Sequence, residues 1–118
     1  MMPNSAAMNS LAFTVERSGS TATVHCRGRL VAGVGSEFYA KIKPLFAESK
    51  RVILDLTDLD SVDSMGLGTL VRLYASAKSA GSCLELINLN KKVRDLLGIT
   101  NLLSLFGDMC EKGVAIKF

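Results

Sequence analysis

From Leu11 onward the chain alternates between two hydrophobic periods. Leu11, Phe13 and Val15 recur at every second residue, which places them on one face of a strand, and Arg17-Ser18-Gly19-Ser20 supplies the turn after it. Thr21 to Cys26 is rich in β-branched residues and predicts a partner strand in a hairpin. Gly28 breaks that strand, and Arg29-Leu30-Val31 continues it after a bend. The period then lengthens. Ser36 with Glu37 behind it reads as a helix start, and Phe38, Ile42, Leu45 and Phe46 follow at helical spacing. Pro44 within this stretch predicts a kink or a nearby end, because it lacks the backbone donor.

Arg51-Val52-Ile53-Leu54-Asp55-Leu56 is the most strand-like segment, apolar enough to be a central strand. A connection from Thr57 to Asp63 leads to a second helix with Leu67, Leu70, Val71 and Tyr74 inward and Gly81 at its end. Cys83 to Leu89 predicts another buried strand. Asn90 is placed to cap a short helix from Lys91 to Leu97, with Val93, Leu96 and Leu97 inward and Gly98 closing it. Asn101 to Phe106 predicts one or two more helical turns, and Val114, Ile116 and Phe118 alternate as a closing strand. The order is β-β-α-β-α-β-α-β. It predicts an α/β fold with right-handed crossovers and a mixed sheet of four or five strands, its helices packed mainly on one face. Leu54, Leu56, Leu67, Leu70, Val71, Leu84 and Leu86 are the expected core.

At 118 residues the chain has room for one domain, expected over 11–118, behind a loose, small and polar N-terminal tail at 1–10. That tail has no basic start and no apolar stretch, so it does not read as a signal peptide. No apolar run approaches the ~20 residues of a membrane span, so no membrane insertion is expected and the protein is placed in the cytoplasm. Fourteen basic against eleven acidic residues give a net charge of +3, too mild an excess to argue for nucleic acid. Cys26, Cys83 and Cys110 lack metal-ligand spacing and read as small hydrophobes or inert thiols. His25 is the only histidine, and neighbouring Cys26 points to the opposite sheet face. Neither a metal site nor a cofactor is expected.

The informative segment is Leu59-Asp60-Ser61-Val62-Asp63-Ser64-Met65-Gly66-Leu67-Gly68, which joins the central strand to the second helix. Such junctions are where α/β sheets commonly place function. Ser64 stands at or beside the helix start, where its hydroxyl can cap free N–H groups and where the helix dipole favours a phosphate. Gly66 and Gly68 remove bulk from the first turn, which lets a partner approach the backbone. Two blander readings fit the same residues: Asp-Ser is an ordinary capping pattern, and the glycines suit tight strand–helix packing.

Asp63-Ser64-Met65-Gly66-Leu67-Gly68, with the strand before it and the element order around it, resembles the signature of STAS-domain anti-sigma-factor antagonists. Gly28-Arg29-Leu30 echoes a Gly-Glu-Leu-Asp stretch of that family, and the Val93 to Phe106 region fits it too. The resemblance implies a STAS-like fold, phosphorylation at Ser64, and no catalysis. It also implies a partner that is an anti-sigma factor with serine kinase activity, released on phosphorylation, with a phosphatase resetting the switch. The implied partner surface comprises Asp63, Ser64, Met65, Gly66, Leu67, Gly68, Arg29 and Val31. This sequence departs from the family pattern in two places: Met65 replaces a second hydroxyl residue, and Arg29 and Val31 stand where acidic residues are usual.

Of three candidate functions, two fit this reading and one does not. A partner-switching antagonist uses the charge of a phosphate on Ser64. A phosphorylation-independent STAS interaction subunit of a transport or signalling complex would instead use Met65 as an apolar contact. An enzyme with Ser64 as nucleophile lacks an adjacent base and the Gly-x-Ser-x-Gly elbow. Gly66-x-Gly68 is not a dinucleotide or phosphate-loop fingerprint either.

Overall fold

The computed structural model describes residues 11–99, together with the backbone of 116–117. Its elements are β1 (Leu11–Ser18), β2 (Thr21–Leu30), α1 (Gly35–Glu48), β3 (Arg51–Val62), α2 (Ser64–Ser79), β4 (Cys83–Ile87), α3 (Lys91–Ile99) and β5 (Ile116–Lys117). They follow the expected order. The tail at 1–10 and the predicted helical turns at Asn101 to Phe106 lie outside the described residues, as do Val114 and Phe118.

The five strands form one mixed sheet in the order β1-β2-β3-β4-β5. β1 and β2 are an antiparallel hairpin, and the remaining neighbours are parallel. Period-two alternation sorts the two faces. Ala22 pairs Val52 and Val24 pairs Leu54, which in turn pair Leu84 and Leu86, so these six side chains share a face. All six are fully buried. α1 and α2 cover that face with Phe38, Ile42, Leu45 and Phe46 from one helix and Leu67, Leu70, Leu73 and Ala77 from the other. β1 extends the same layer through Phe13, whose ring meets Phe38 edge-on with centroids 5.3 Å apart. The opposite face carries Thr23, His25, Ile53, Asp55 and Glu85, the last buried and paired with Arg51 at 2.8 Å.

Four local expectations are corrected. β3 does not stop at Leu56 but runs to Val62, because β2 continues beyond Gly28 and pairs with it as far as Leu30. Two register shifts accommodate this, and Gly28 takes the left-handed φ of 103° that one of them needs. α1 begins at Gly35, with Val34 as its N-cap and no side-chain cap, and it runs through Pro44 to Glu48. In α2 Val71 is only half-buried, while Leu73 is fully buried in its place. Cys26 is buried and free as expected, whereas Cys83 is disulfide-bonded.

The ends of α2 and α3 obey local chemistry. Gly81 takes φ 73° after α2, and the N–H groups of Gly81 and Ser82 donate to Lys78 and Ala77. Asn90 caps α3 by accepting the Val93 N–H at 2.9 Å, and α3 continues past Gly98 to Ile99.

Candidate functional site

The parallel ends of β2 and β3 bring the loop after Leu30 beside the start of α2. Asp63, extended at φ −99° and ψ −174°, is the N-cap of α2. Its Oδ1 accepts the Gly66 N–H at 2.8 Å, and its Oδ2 accepts the Ala32 N–H at 3.0 Å. These bonds, Ala32 first and then Gly66, hold the Asp63 carboxyl below its ordinary pKa. Ser64 is therefore not the cap. It is the first residue of the helix, and its side chain is exposed.

The two glycines have different reasons. Gly66 is buried, and a Cβ there would sit 2.0 Å from the Leu30 carbonyl oxygen and 2.9 Å from Val62 Cγ1. It is required for the helix to dock on the strand ends. Gly68 is exposed, and a Cβ there would meet nothing within 4 Å. Open space above the first turn thus belongs to Gly68 and not to Gly66.

Ser64, Met65 and Gly68 border a cavity of about 240 Å³, closed by Val31, Ala32, Gly33, Gly35 and Ser36 on one side and by Thr69 and Arg72 along the helix. Met65 is 63% exposed, the largest exposure of any described large apolar side chain. Gly35 packs so closely on Thr69 that a Cβ would lie 2.3 Å from Thr69 Oγ1, which fixes the loop wall against α2. Of the eight residues singled out from sequence, Ser64, Met65, Gly68 and Val31 line this cavity. Asp63 holds its edge through hydrogen bonds, and Gly66 and Leu67 are buried beneath it. Arg29 is exposed but is not among the lining residues. Ala32, Gly33, Ser36, Thr69 and Arg72 were not anticipated. The four-residue rows Ser64-Gly68-Arg72 and Met65-Thr69 could have pointed to the last two.

His25 lies elsewhere on the sheet. Its Nδ1 is 3.1 Å from Asp55 Oδ2 and its Nε2 is 3.1 Å from Glu16 Oε1. The hydrogen bond to Glu16, with the charge of Glu16 and the contact to Asp55, outweighs desolvation and raises the His25 pKa. Cys26, on the buried face, has its thiol pushed up to about 12 by burial. Among the described residues no group of His, Cys, Asp and Glu is arranged to hold a metal ion. None of the described helices is long and apolar enough to cross a membrane.

The STAS domain model matches residues 12–114, and the chain belongs to that family. A Thermotoga maritima protein named "Putative anti-sigma factor antagonist" is 38% identical over 52 residues, which are 44% of this chain and 46% of that protein. This chain thus spans less than half of that curated relative. A crystal structure of a protein given the same description, also from Thermotoga maritima, superposes with a TM-score of 0.74 at 24% identity, covering 90% of this chain and 86% of the other. The anti-sigma factor antagonist SpoIIAA in its unphosphorylated form superposes with a TM-score of 0.69 at 20% identity, covering 83% and 84%. At these identities the structural likeness is one of fold.

Proposed function

We propose that the chain is an anti-sigma-factor antagonist that binds an anti-sigma factor with serine kinase activity and is released when Ser64 is phosphorylated. The observation that carries this reading is the exposed Ser64 at the first residue of α2, with Asp63 already occupied as the cap. A hydroxyl that caps a helix is tied up in its own fold. Ser64 is spared that duty and is free to be modified. In the transfer, Ser64 Oγ bonds to the γ-phosphorus of ATP held by the kinase, the bond to the bridging oxygen breaks so that ADP leaves, and the hydroxyl proton passes to a base of the kinase or to solvent. The positive end of the helix dipole stabilises the product.

Ser64, Met65, Gly68 and Val31 form the contact surface, with Met65 as its adaptable apolar element. Phosphorylation adds about −1.5 to −2 charges beside the Asp63 carboxylate. An unpaired charge in a contact surface costs affinity, so the partner lets go, and a phosphatase restores the hydroxyl. The switch works in the cytoplasm without cofactor, metal, nucleic acid or membrane insertion. His25 is not placed to activate Ser64 as a nucleophile, since both of its ring nitrogens face carboxylates. The names of the Thermotoga relative and of SpoIIAA support the antagonist role.

The 63% exposure of Met65 favours a second reading, a phosphorylation-independent STAS interaction subunit of a transport or signalling complex. One assay separates the two. Incubated with Mg-ATP and the anti-sigma factor kinase of its own genome, the protein should gain one phosphate, on Ser64, and Ser64→Ala should gain none. Thr69 is buried with its hydroxyl bonded to the Met65 carbonyl, so it is shielded. Phosphate on Ser61, Ser36 or Thr69 with Ser64 bare would sink the assignment.

A further inference from the structure

Ser64, Gly68 and Arg72 follow one another at four-residue intervals along α2, and all three line the same cavity. Residues four apart are surface neighbours on a helix, so Gly68 lies between Ser64 and Arg72, whose backbones are roughly 12 Å apart along the axis, a span that a phosphoserine and a long arginine side chain can share. The middle place is clear, since even a Cβ on Gly68 would meet nothing within 4 Å. Arg72 is the one cation among the described lining residues. Its guanidinium rests on the Tyr39 ring, with Cζ 4.1 Å from the centroid. That ring also carries the Lys43 ammonium at 5.7 Å, and its hydroxyl is hydrogen-bonded to Ser76 Oγ.

A cation–π contact at an exposed site is weaker than a charge-assisted, two-pronged bond from guanidinium to phosphate. Asp63 cannot turn away from a phosphate on Ser64, because both of its oxygens are held by backbone N–H groups. The phosphate therefore arrives beside a fixed negative charge, in a cavity with a single described cation. We propose that Arg72 is the countercharge for a phosphate on Ser64, drawn off Tyr39 and across the open floor at Gly68 when the serine is modified. The proposal rests on Ser64 being the modified residue. It extends the effect of modification to the groove between α1 and α2, which Tyr39, Lys43, Arg72, Ser76 and Ser79 line. Removing Arg72 from Tyr39 alters a second stretch of surface at the same moment as the first.

The test needs neither kinase nor partner. The full chain is produced with phosphoserine inserted at position 64 by an expanded genetic code, and phosphorus NMR follows the second phosphate ionisation. That pKa is near ~6 without neighbours. In the otherwise native protein it should lie about half a unit or more below its value in Arg72→Gln, because a nearby cation favours the dianion. Arg72→Lys should fall between them, keeping the charge without the fork. The Tyr39 ring resonances should move on phosphorylation in the native protein and stay put in Arg72→Gln. Arg72 is exposed, so the variants are expected to fold, and their amide spectra check this; should Arg72→Gln fail to fold, Arg72→Lys carries the comparison. Equal phosphate pKa values with Tyr39 unmoved overturn the proposal. Failure of the switch is read separately. Partner release on phosphorylation with equal pKa values keeps the switch and removes Arg72. A lowered pKa with undiminished partner binding does the reverse.

Discussion

The Asp63 carboxylate accepts the backbone N–H of Ala32 at 3.0 Å, joining two residues 31 positions apart. Its other oxygen caps α2 through Gly66. One side chain thus ties the loop wall of the cavity to the helix start that presents Ser64.

Asp63→Ala should lower the melting temperature by on the order of 5 °C, the usual effect of a lost cap in a domain of this size. The dependence on pH has a definite sign. The folded pKa of Asp63 lies below its unfolded value, held there by Ala32 and Gly66. Its contribution is therefore complete above the unfolded pKa, near ~3.9, and is lost as the pH falls through the lower folded value. Thermal melts of wild type and Asp63→Asn should differ at neutral pH and converge in acid. Parallel melting curves down to the lowest pH at which both still fold would show that Asp63 is not linked to stability.

The glycines should part company under the same substitution. Gly66→Ala drives a methyl into the Leu30 carbonyl and should cost about 1–3 kcal/mol or more in urea denaturation. Gly68→Ala meets open space and replaces a helical glycine, so it should stabilise by about 0.5–1 kcal/mol. The same methyl narrows the cavity floor and should weaken partner binding. Equal responses at the two sites would contradict the packing described for Gly66.

Ser64→Ala should alter stability by no more than about 0.5 kcal/mol, the range of ordinary surface changes, because Asp63 and not Ser64 is the cap. It should still bind the anti-sigma factor. Ser64→Glu should reduce that binding at least tenfold, about 1.4 kcal/mol, in calorimetry on protein shown by circular dichroism to be folded. A glutamate carries less charge than phosphate, so the mimic understates the effect. If folded Ser64→Glu binds as tightly as wild type, the phosphorylation-independent module replaces the switch.

His25 should titrate above 6.5 by NMR, since its bond to Glu16 and its contact with Asp55 favour the charged ring. A raised folded pKa stabilises fully below the unfolded value and ceases to do so as the pH rises through the folded one. His25→Gln should therefore be least stable relative to wild type in mild acid and should match it at alkaline pH. A deficit independent of pH would mean that the ring acts by packing alone.

Much of this molecule is legible along the chain. Phe38, Ile42, Leu45 and Phe46 repeat at helical spacing, Val52, Leu54 and Leu56 alternate, and Gly81 and Asn90 mark helix boundaries; each bond or buried face expected there is present. Local patterning is decisive where the determining partners are within a few residues. The Asp63-to-Gly68 segment was conspicuous for the same reason, being an acid, a hydroxyl and two glycines at one helix start.

What the chain alone left open is whatever depends on partners distant in sequence. The continuation of β3 past Thr57 and Asp58 is decided by its parallel pairing with β2, which a local pattern cannot contain. The separation of Gly66 from Gly68 is decided by the Leu30 carbonyl pressing on one and nothing pressing on the other. Arg29 was expected on the partner surface, and Arg72 was not. Only the packing of α2 against α1 and the loop at Ala32 to Ser36 brings Arg72 into the cavity with Ser64 and leaves Arg29 outside its lining. The sequence determined most of the elements and put Ser64 at a helix start, because periodicity and end signals act over a few residues. The tertiary structure decided which side chains surround that serine, because close approach between segments some thirty residues apart is set by sheet register and helix docking.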